Sequence, residues 1–187
     1  MADQLATPED LASFLQRDDL DASTATLLVE CATGVIQATV GQRIVRATTT
    51  PSIPGGFSQW LNLPQWPVVS VATVELAGTA ITDWSLIGVR LWRANGWQPS
   101  WTPVMVDVTY THGHASEDQA LQFGRSAVLG LCAPFYPNPT GASSVKIDDY
   151  AETYAAMQTA MNGNQPLMGA LRAAYGAAVG TTPMRTG

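Results

Sequence analysis

The two histidines are the residues of this sequence whose type and spacing first suggest chemistry. The segment VDVTYTHGHASED, residues 106–118, holds both of them, His112 and His114, and two acids, Glu117 and Asp118, follow. Residues two apart in a strand share a face, so both imidazoles could bind one metal ion. A catalytic zinc site needs a third protein ligand, however, and acids in a first helical turn are explained by the helix dipole. We interpret the pair as a strand-to-helix turn, with a small metal-dependent enzyme using His112 and His114 as the alternative.

Other catalytic patterns are missing from the sequence. It contains no GxSxG nucleophile motif and no GxGxxG or GxxxxGK phosphate-binding motif. Carboxylate pairs occur at 18–19 and 148–149, but adjacent residues point apart on a helix or a strand, so we interpret these pairs as solvated faces or caps. Cys31 and Cys132 lie far apart in apolar helical patterns and are predicted to be buried free thiols rather than a disulfide. We therefore predict no enzyme activity, no catalytic residue, no metal and no cofactor.

The composition predicts a well-packed domain with an unusually neutral surface. Of the 187 residues, 46% are hydrophobic and 13% are charged. This charged share is about half of the usual value, which favours self-association. Residues 1–30 contain seven acids and one base, a balance of −6, whereas the remaining eight acids and eight bases cancel. No basic stripe indicates sequence-reading contact with nucleic acid.

No targeting pattern stands out in the sequence. The N-terminal segment is acidic and lacks the apolar stretch of a secretory signal. No uninterrupted apolar run approaches the roughly 18 residues that a membrane span needs. We expect synthesis in the cytoplasm and no membrane association.

Capping signals predict two helices at the beginning of the chain. Thr7 is a natural N-cap with Pro8 at the first helical position, and Asp21 caps a longer helix that Gly41 ends. A third helix is predicted to start at Ser116 as its N-cap and to end before Pro134, and a last one to cover residues 165–175. The segment VKIDDYAETY before it is open between an extended and a helical structure.

The middle of the chain has the character of strands. Residues 68–76 carry branched residues on both faces and predict a well-covered strand, and residues 104–111 alternate again. Asn95-Gly96 predicts the turn of a β-hairpin between Trp92 and Trp97. The hairpin is open to two compatible interpretations, cross-strand aromatic packing within the lobe and a protruding tip that contacts a partner.

These elements predict an α+β fold, a small helical bundle with a β-rich lobe inserted between the second and third helices. The predicted organisation is N-terminal helices of the core at 1–42, the inserted lobe at 43–115, C-terminal helices and an irregular segment of the core at 116–175, and a flexible tail at 176–187. The tail could order on a partner surface.

A series of motifs gives the chain a family resemblance. The opening ATPEDLASFLQRD, a helix ending in GQ, LPQWPVVSVATVELAGTAI and VDVTYTHGH before a helix resemble the head–tail connector proteins of long-tailed phages, also called adaptor or head-completion proteins. The pattern LPxxPVxSVxxVxxxG followed by VxVTYTHG is the most specific part. The resemblance covers most of residues 5–155, includes a partial match at VKIDDYAETY, and is weakest in the last 30 residues.

The resemblance implies a structural protein of the virion, assembled in the host cytoplasm. Such proteins form a ring, expected here to be a dodecamer, that sits on the portal protein, extends the DNA channel and docks a stopper or tail-completion protein. Double-stranded DNA passes through the lumen without specific binding. A generic protein-binding module, whose β lobe grips another protein, is a further alternative.

Three sets of residues carry the predicted contacts. The portal is expected to contact the C-terminal set Leu171, Arg172, Tyr175, Pro183, Met184 and Arg185. The neighbouring subunit or the tail side is expected to contact the set Trp92, Arg93, Asn95, Gly96 and Trp97. An acidic, DNA-repelling surface is expected from Asp10, Asp18, Asp19 and Asp21, within an N-terminal acidic region that faces the lumen or the outer solvent.

Overall fold

The computed structural model describes residues 4–98, 101–136, 144–147, 150–153 and 165–176. Its helices are α1 (Pro8–Leu15), α2 (Ala22–Val40), α3 (Gln119–Cys132) and α4 (Gln165–Tyr175). Between α2 and α3 the described residues form eight strands, β1 (Ala47–Thr49), β2 (Ser52–Pro54), β3 (Trp60–Asn62), β4 (Val68–Leu76), β5 (Thr79–Ala80), β6 (Ser85–Ile87), β7 (Arg90–Trp92) and β8 (Met105–His112). Between α3 and α4, β9 (Ser144–Ile147) pairs antiparallel with β10 (Tyr150–Thr153). The predicted α+β class is confirmed.

The first two helices begin where their caps predict, and α2 also ends where Gly41 predicts. Thr7 and Asp10 form a reciprocal capping box around the first turn of α1, and Pro8 occupies its first position. Asp21 caps α2 through the backbone N–H of Thr24, and Gly41 ends it in the left-handed conformation. The third helix starts later than predicted, because Asp118 and not Ser116 is its N-cap residue. The Asp118 carboxylate accepts a hydrogen bond from the Ala115 N–H, which holds residues 115–118 in a turn before the helix.

The four helices in the described residues share one apolar core. Its most buried side chains come from the segment before α1, from α2, from α3 and from α4, as in Leu5, Leu11, Ile36, Val128 and Leu171. By length and hydropathy alone α2 could cross a membrane. The sequence did not indicate this, because polar residues interrupt the apolar residues of the helix. The central helix of a globular core passes the same test, and α2 contacts α1, α3 and α4 here.

The lobe has a second core between two antiparallel sheets. In the larger sheet β8 is the central strand, with β1 and β2 on one side and β4, followed by β5, on the other. Side chains along β8 alternate in burial, so Val106, Val108 and Tyr110 point into this core. The smaller sheet has the order β3–β7–β6 and contributes Leu61 and Leu91.

The predicted hairpin at Asn95-Gly96 is wrong. The strands that pair are β6 and β7, and they are joined by a turn at Gly88 and Val89. Asn95 does lie in a turn, which the Gly96 N–H closes on the Arg93 carbonyl, but among the described residues of the lobe β7 pairs with β3 and β6 and with no strand after this turn. Trp97 is instead fully buried in the lobe core, so the chain turns inward there.

The Asp21 cap makes the stability of α2 sensitive to acid. Hydrogen bonds from Thr24 and then Ser23 lower the pKa of the Asp21 carboxyl from 3.8 to about 2. A pKa that is lower in the folded state stabilises the protein above the unfolded pKa, and this contribution is lost as pH falls from about 4 to 2.

We expect Asp21→Asn to reduce the acid sensitivity of folding, because asparagine still caps a helix but does not titrate. Urea unfolding at several pH values between about 5 and 2 should show a smaller fall in the free energy of unfolding for the variant than for the wild type. Parallel curves for the two proteins would contradict this role of Asp21.

Candidate functional site

The histidine pair lies at the junction of the two cores. His112 is the last residue of β8 and is fully buried, with its ring centroid 5.3 Å from that of Tyr110 in the lobe core. The His114 ring lies 6.1 Å from that of Tyr175 in the helical core, and its Nδ1 is 3.7 Å from the nearer Asp118 carboxylate oxygen. The two imidazoles therefore pack against different cores. Within the described residues, no group of three or more His, Cys, Asp or Glu side chains is placed to hold a metal ion.

Gly113 brings three segments of backbone together between the histidines. Its N–H donates to the Pro67 carbonyl, at 2.9 Å. The next N–H, of His114, donates to the Ile44 carbonyl at 2.9 Å, and the Arg46 N–H donates to the His114 carbonyl at 2.8 Å. At φ +86° and with a Cβ position only 2.6 Å from the Val45 carbonyl oxygen, this residue has to be glycine.

A buried glutamine links the same junction to α4. The Gln42 side chain donates to the Tyr175 carbonyl at the end of α4 and accepts from the Trp66 N–H at 3.2 Å. The Tyr175 hydroxyl in turn accepts from the Gly124 N–H at 3.0 Å and donates to the Ala120 carbonyl in α3. Burial raises the pKa of this hydroxyl, so it stays protonated and keeps donating. The end of α4, the start of α3 and the lobe are thus held by one polar network.

The residues predicted to contact a neighbour or the tail side are mostly internal. Trp97 and Gly96 are buried, and the Trp97 indole N–H donates to the Gln59 carbonyl at 3.0 Å. Arg93 is 12% exposed, donates to both Asp83 carboxylate oxygens, and thereby lowers the pKa of Asp83. Trp92 is half-buried, so Asn95 is the one member of this set that is exposed. Burial of Trp97 and Gly96 corrects the expectation that they offer surface to a partner.

The portal-contact set is corrected in the same way. Leu171 and Tyr175 belong to the helical core and are buried, so their side chains offer no surface to a portal. Arg172 is exposed on α4, where its Nε lies 3.4 Å from the Thr39 carbonyl. Pro183, Met184 and Arg185 lie outside the described residues.

Two of the four acids predicted to repel DNA have structural partners. Asp10 completes the capping box of α1 and forms an ion pair with Arg125 at 3.0 Å. Asp21 caps α2. Asp18 and Asp19 are exposed in the loop between the two helices, and Asp19 lies 3.7 Å from Arg17.

An exposed apolar surface on the lobe was missed by the sequence analysis. Eight large apolar residues of the lobe are more than a third exposed: Phe57, Trp60, Val69, Leu86, Ile87, Val89, Trp101 and Met105. Exposure of Val69 shows that β4 is not the fully covered strand that its branched residues predicted. Phe57 and Trp101 contact each other, with ring centroids 5.0 Å apart, and Leu86, Ile87 and Val89 lie around one turn. Exposed apolar patches of this kind can mark protein–protein contacts. The sequence signal was the glycine between Ile87 and Val89, which interrupts an apolar run and marks a turn.

Comparison with known proteins identifies a shared fold. No protein-family model matches the chain, and no curated protein matches it significantly. Among solved structures, the fold is similar to that of a chain in "Neck of empty GTA particle computed with C6 symmetry". The TM-score is 0.52, the sequence identity is 17%, and the match covers 88% of both chains. At this identity the likeness establishes the fold.

We expect Gly113→Ala to destabilise the protein by at least about 2 kcal/mol, from the positive φ and the backbone contact together. Equilibrium unfolding in urea measures the loss. Gly130→Ala is the matched control, because Gly130 is exposed on α3 with nothing within 4 Å of its Cβ position. This control should gain up to about 1 kcal/mol from helix propensity. Equal stability of the two variants would contradict the close approach at Gly113.

Proposed function

We propose that the protein is a head-to-tail adaptor, a structural virion protein that forms a ring on the portal and extends the DNA channel. The observation that carries this proposal is the fold shared with a chain from the neck of a GTA particle over 88% of both chains. The resemblance of the LPxxPVxSVxxVxxxG and VxVTYTHG motifs to head–tail connectors supports the same function from the sequence side. In this proposal the protein has no catalytic activity, and the stopper or tail-completion protein docks on the ring.

The ring is proposed to contain twelve copies. The neck of the GTA particle was computed with C6 symmetry, and sixfold symmetry is contained in both a hexameric and a dodecameric ring. A closed ring requires that one patch of each subunit contact a different patch of the next. The low charged fraction of 13% and the exposed apolar residues of the lobe are suited to such contacts.

The channel is proposed to let DNA pass without binding it. Phosphate binding needs Lys and Arg, and this chain has nine of them against 15 acids. Asp18 and Asp19, exposed between α1 and α2, are the acids proposed to face the lumen or the outer solvent. Exposed Arg172 and the C-terminal Pro183, Met184 and Arg185 are proposed for the portal side.

The direct test mixes the purified protein with its cognate portal and images the product by electron microscopy. We expect a ring stacked coaxially on the portal, and native mass spectrometry of the assembly should count twelve copies. The same chain carrying Gly113→Ala is the control for a misfolded subunit. Absence of any portal association across a range of salt concentrations would contradict the adaptor function, and six copies would correct the stoichiometry alone.

The proposed place of the acids is tested by charge reversal. We expect Asp18→Lys combined with Asp19→Lys to leave ring formation on the portal intact, because neither side chain caps a helix or contacts the neighbour in this proposal. The same variant should increase the retention of double-stranded DNA at low salt in a filter-binding assay. An Asn pair at both positions is the control that removes charge without adding bases. Loss of ring assembly in the Lys variant would place these acids at the subunit contact instead.

A further inference from the structure

The smaller sheet of the lobe turns one face toward the lobe core and the other toward solvent. Leu61 and Leu91 are paired in register and point into the core, so the residues on either side of them in β3 and β7 lie on the outer face. With the paired residues of β6, this outer face consists of Trp60, Asn62, Ser85, Ile87, Arg90 and Trp92. Five of these six residues are exposed, and Trp92 is half-buried. Trp and Arg are enriched among the residues that contribute most to protein–protein binding, so this face is suited to a contact.

The outer face of the larger sheet is polar and acidic. Asp107 lies between two core residues of β8 and therefore points away from the core. Its register partner Glu75 lies between two core residues of β4 and points to the same side. Hydroxyl side chains share this face, namely those of Thr48, Ser52, Ser70, Thr73, Thr109 and Thr111.

The two outer faces are complementary in charge. Like charges directly opposite each other in an antiparallel pair destabilise a sheet, so a cation from another molecule would relieve the repulsion between Glu75 and Asp107. Arg90 is such a cation, because the outer face of the smaller sheet carries it without an acid among its six residues. Within the described part of the chain, none of these three residues forms an ion pair.

The faces are also complementary in hydrogen bonding. The smaller sheet presents donors, the Arg90 guanidinium and the indole N–H groups of Trp60 and Trp92. The larger sheet presents acceptors, its two carboxylates and its hydroxyl oxygens. A second copy of this chain therefore offers to each face the groups that the face lacks.

Building on the proposed ring, we propose that the outer face of the smaller sheet of one subunit packs against the outer face of the larger sheet of the next, with Arg90 opposite Glu75 and Asp107. The two faces lie on different sides of one lobe core, so the contact is heterologous and can close into a ring. Trp60 and Ile87, which are 42% and 52% exposed, are covered beside the charged residues. Mixed polarity of this kind is usual in contacts between subunits that are also stable alone.

Charge reversal tests the pairing of the two faces. We expect Arg90→Glu to raise the protein concentration needed for half-maximal ring formation on the portal by about tenfold or more, because acids would then meet acids across the contact. Adding Glu75→Lys and Asp107→Lys should restore assembly, since the charges are then exchanged. Arg17→Glu is the matched control, because Arg17 is exposed before α2, outside the lobe, and the same change of charge there should leave assembly unchanged. Urea unfolding of each variant checks that it folds.

Two results of the charge reversal would overturn the contact. Ring formation by Arg90→Glu at the wild-type concentration would show that this arginine is not at the subunit contact. A charge-exchanged variant that folds but does not recover assembly would show that Arg90 faces a group other than the two carboxylates.

Cross-linking tests the same contact without changing its charges. In a Cys31→Ser background, Ile87→Cys and Thr73→Cys place one thiol on each face, and within one subunit the lobe core separates them. A short bismaleimide should join the two thiols between neighbours, by addition of each thiol to a maleimide double bond, and give a ladder of covalent multimers in denaturing gels. Cys132 is buried and burial raises the pKa of its thiol to about 11, so it stays unreactive.

Intact rings carrying both cysteines that give no ladder would overturn the contact. A covalent dimer from Ile87→Cys alone would overturn it as well, because two smaller-sheet faces would then meet symmetrically. Leu27→Cys combined with Thr73→Cys is the matched control, since Leu27 is 60% exposed on α2, outside the lobe, and should give no ladder. An equal ladder from this control would contradict the assignment of the contact to the two sheet faces.

Failure of the contact is distinguishable from failure of the proposed function. If the wild-type protein docks on the portal but rings with both cysteines do not cross-link, the adaptor function stands and the contact is wrong. If no ring forms on the portal, the adaptor function is contradicted, and cross-linking of the concentrated free protein then decides the contact. A ladder there that requires both cysteines supports the contact between the sheet faces, and its absence overturns it.

Discussion

The crossing of three backbone segments at Gly113 is the constraint on which the rest of the structure depends. The chain enters the lobe after α2 through Ile44 and Arg46 and leaves it through His114, and these two passages are hydrogen-bonded to each other. The Pro67 carbonyl, just before β4, accepts from Gly113 and joins the lobe to the same point. Because a side chain at Gly113 would collide with the Val45 carbonyl, this crossing fixes how closely the two cores approach. Gln42, just past the end of α2, extends the junction to the end of α4. A protein built this way carries its lobe in a defined position relative to its helices.

Features that depend on neighbouring residues could be predicted from the sequence, whereas features that depend on distant pairing could not. The caps at Thr7, Asp21 and Gly41 act within one turn of their helix, so the sequence alone locates them. The Asn95-Gly96 signal correctly marks a turn, but which strands pair across a turn is decided by packing. Burial of Trp97 takes the chain away from a hairpin there, and the pairing of β6 with β7 follows from their shared contacts in the lobe. Ser116 is not the N-cap of α3, because residues 115–118 form a turn in which the Ala115 N–H donates to the Asp118 carboxylate, and the helix begins after this turn.

The contact surfaces could not be predicted from the sequence for the same reason. Apolar residues at helical spacing predict that one face of a helix is buried. They do not show whether that face packs against the protein's own core or against another molecule. Leu171 and Tyr175 were expected at the portal because of the family resemblance, and the structure assigns them to the core of the chain itself. The composition correctly indicated a surface with few charges. The exposed apolar residues include Leu86, Ile87 and Val89, whereas Trp97, next to Asn95, is buried. Whether an apolar residue is exposed or buried can be decided only from the burial of its side chain, and this burial depends on how distant strands pair.

The two cores within this chain bear on how copies could assemble in the proposed ring. Each core is closed by residues of the same chain, so a free subunit does not need its neighbours in order to bury Ile36, Val128, Val108 or Tyr110. The exposed apolar residues of the lobe, such as Ile87 and Val89, are therefore additional to what folding requires. A net charge of −6 opposes association of free copies in solution. In the proposed adaptor function, docking on a common portal would hold subunits side by side at a high effective concentration, so that weak contacts would suffice to close a ring there.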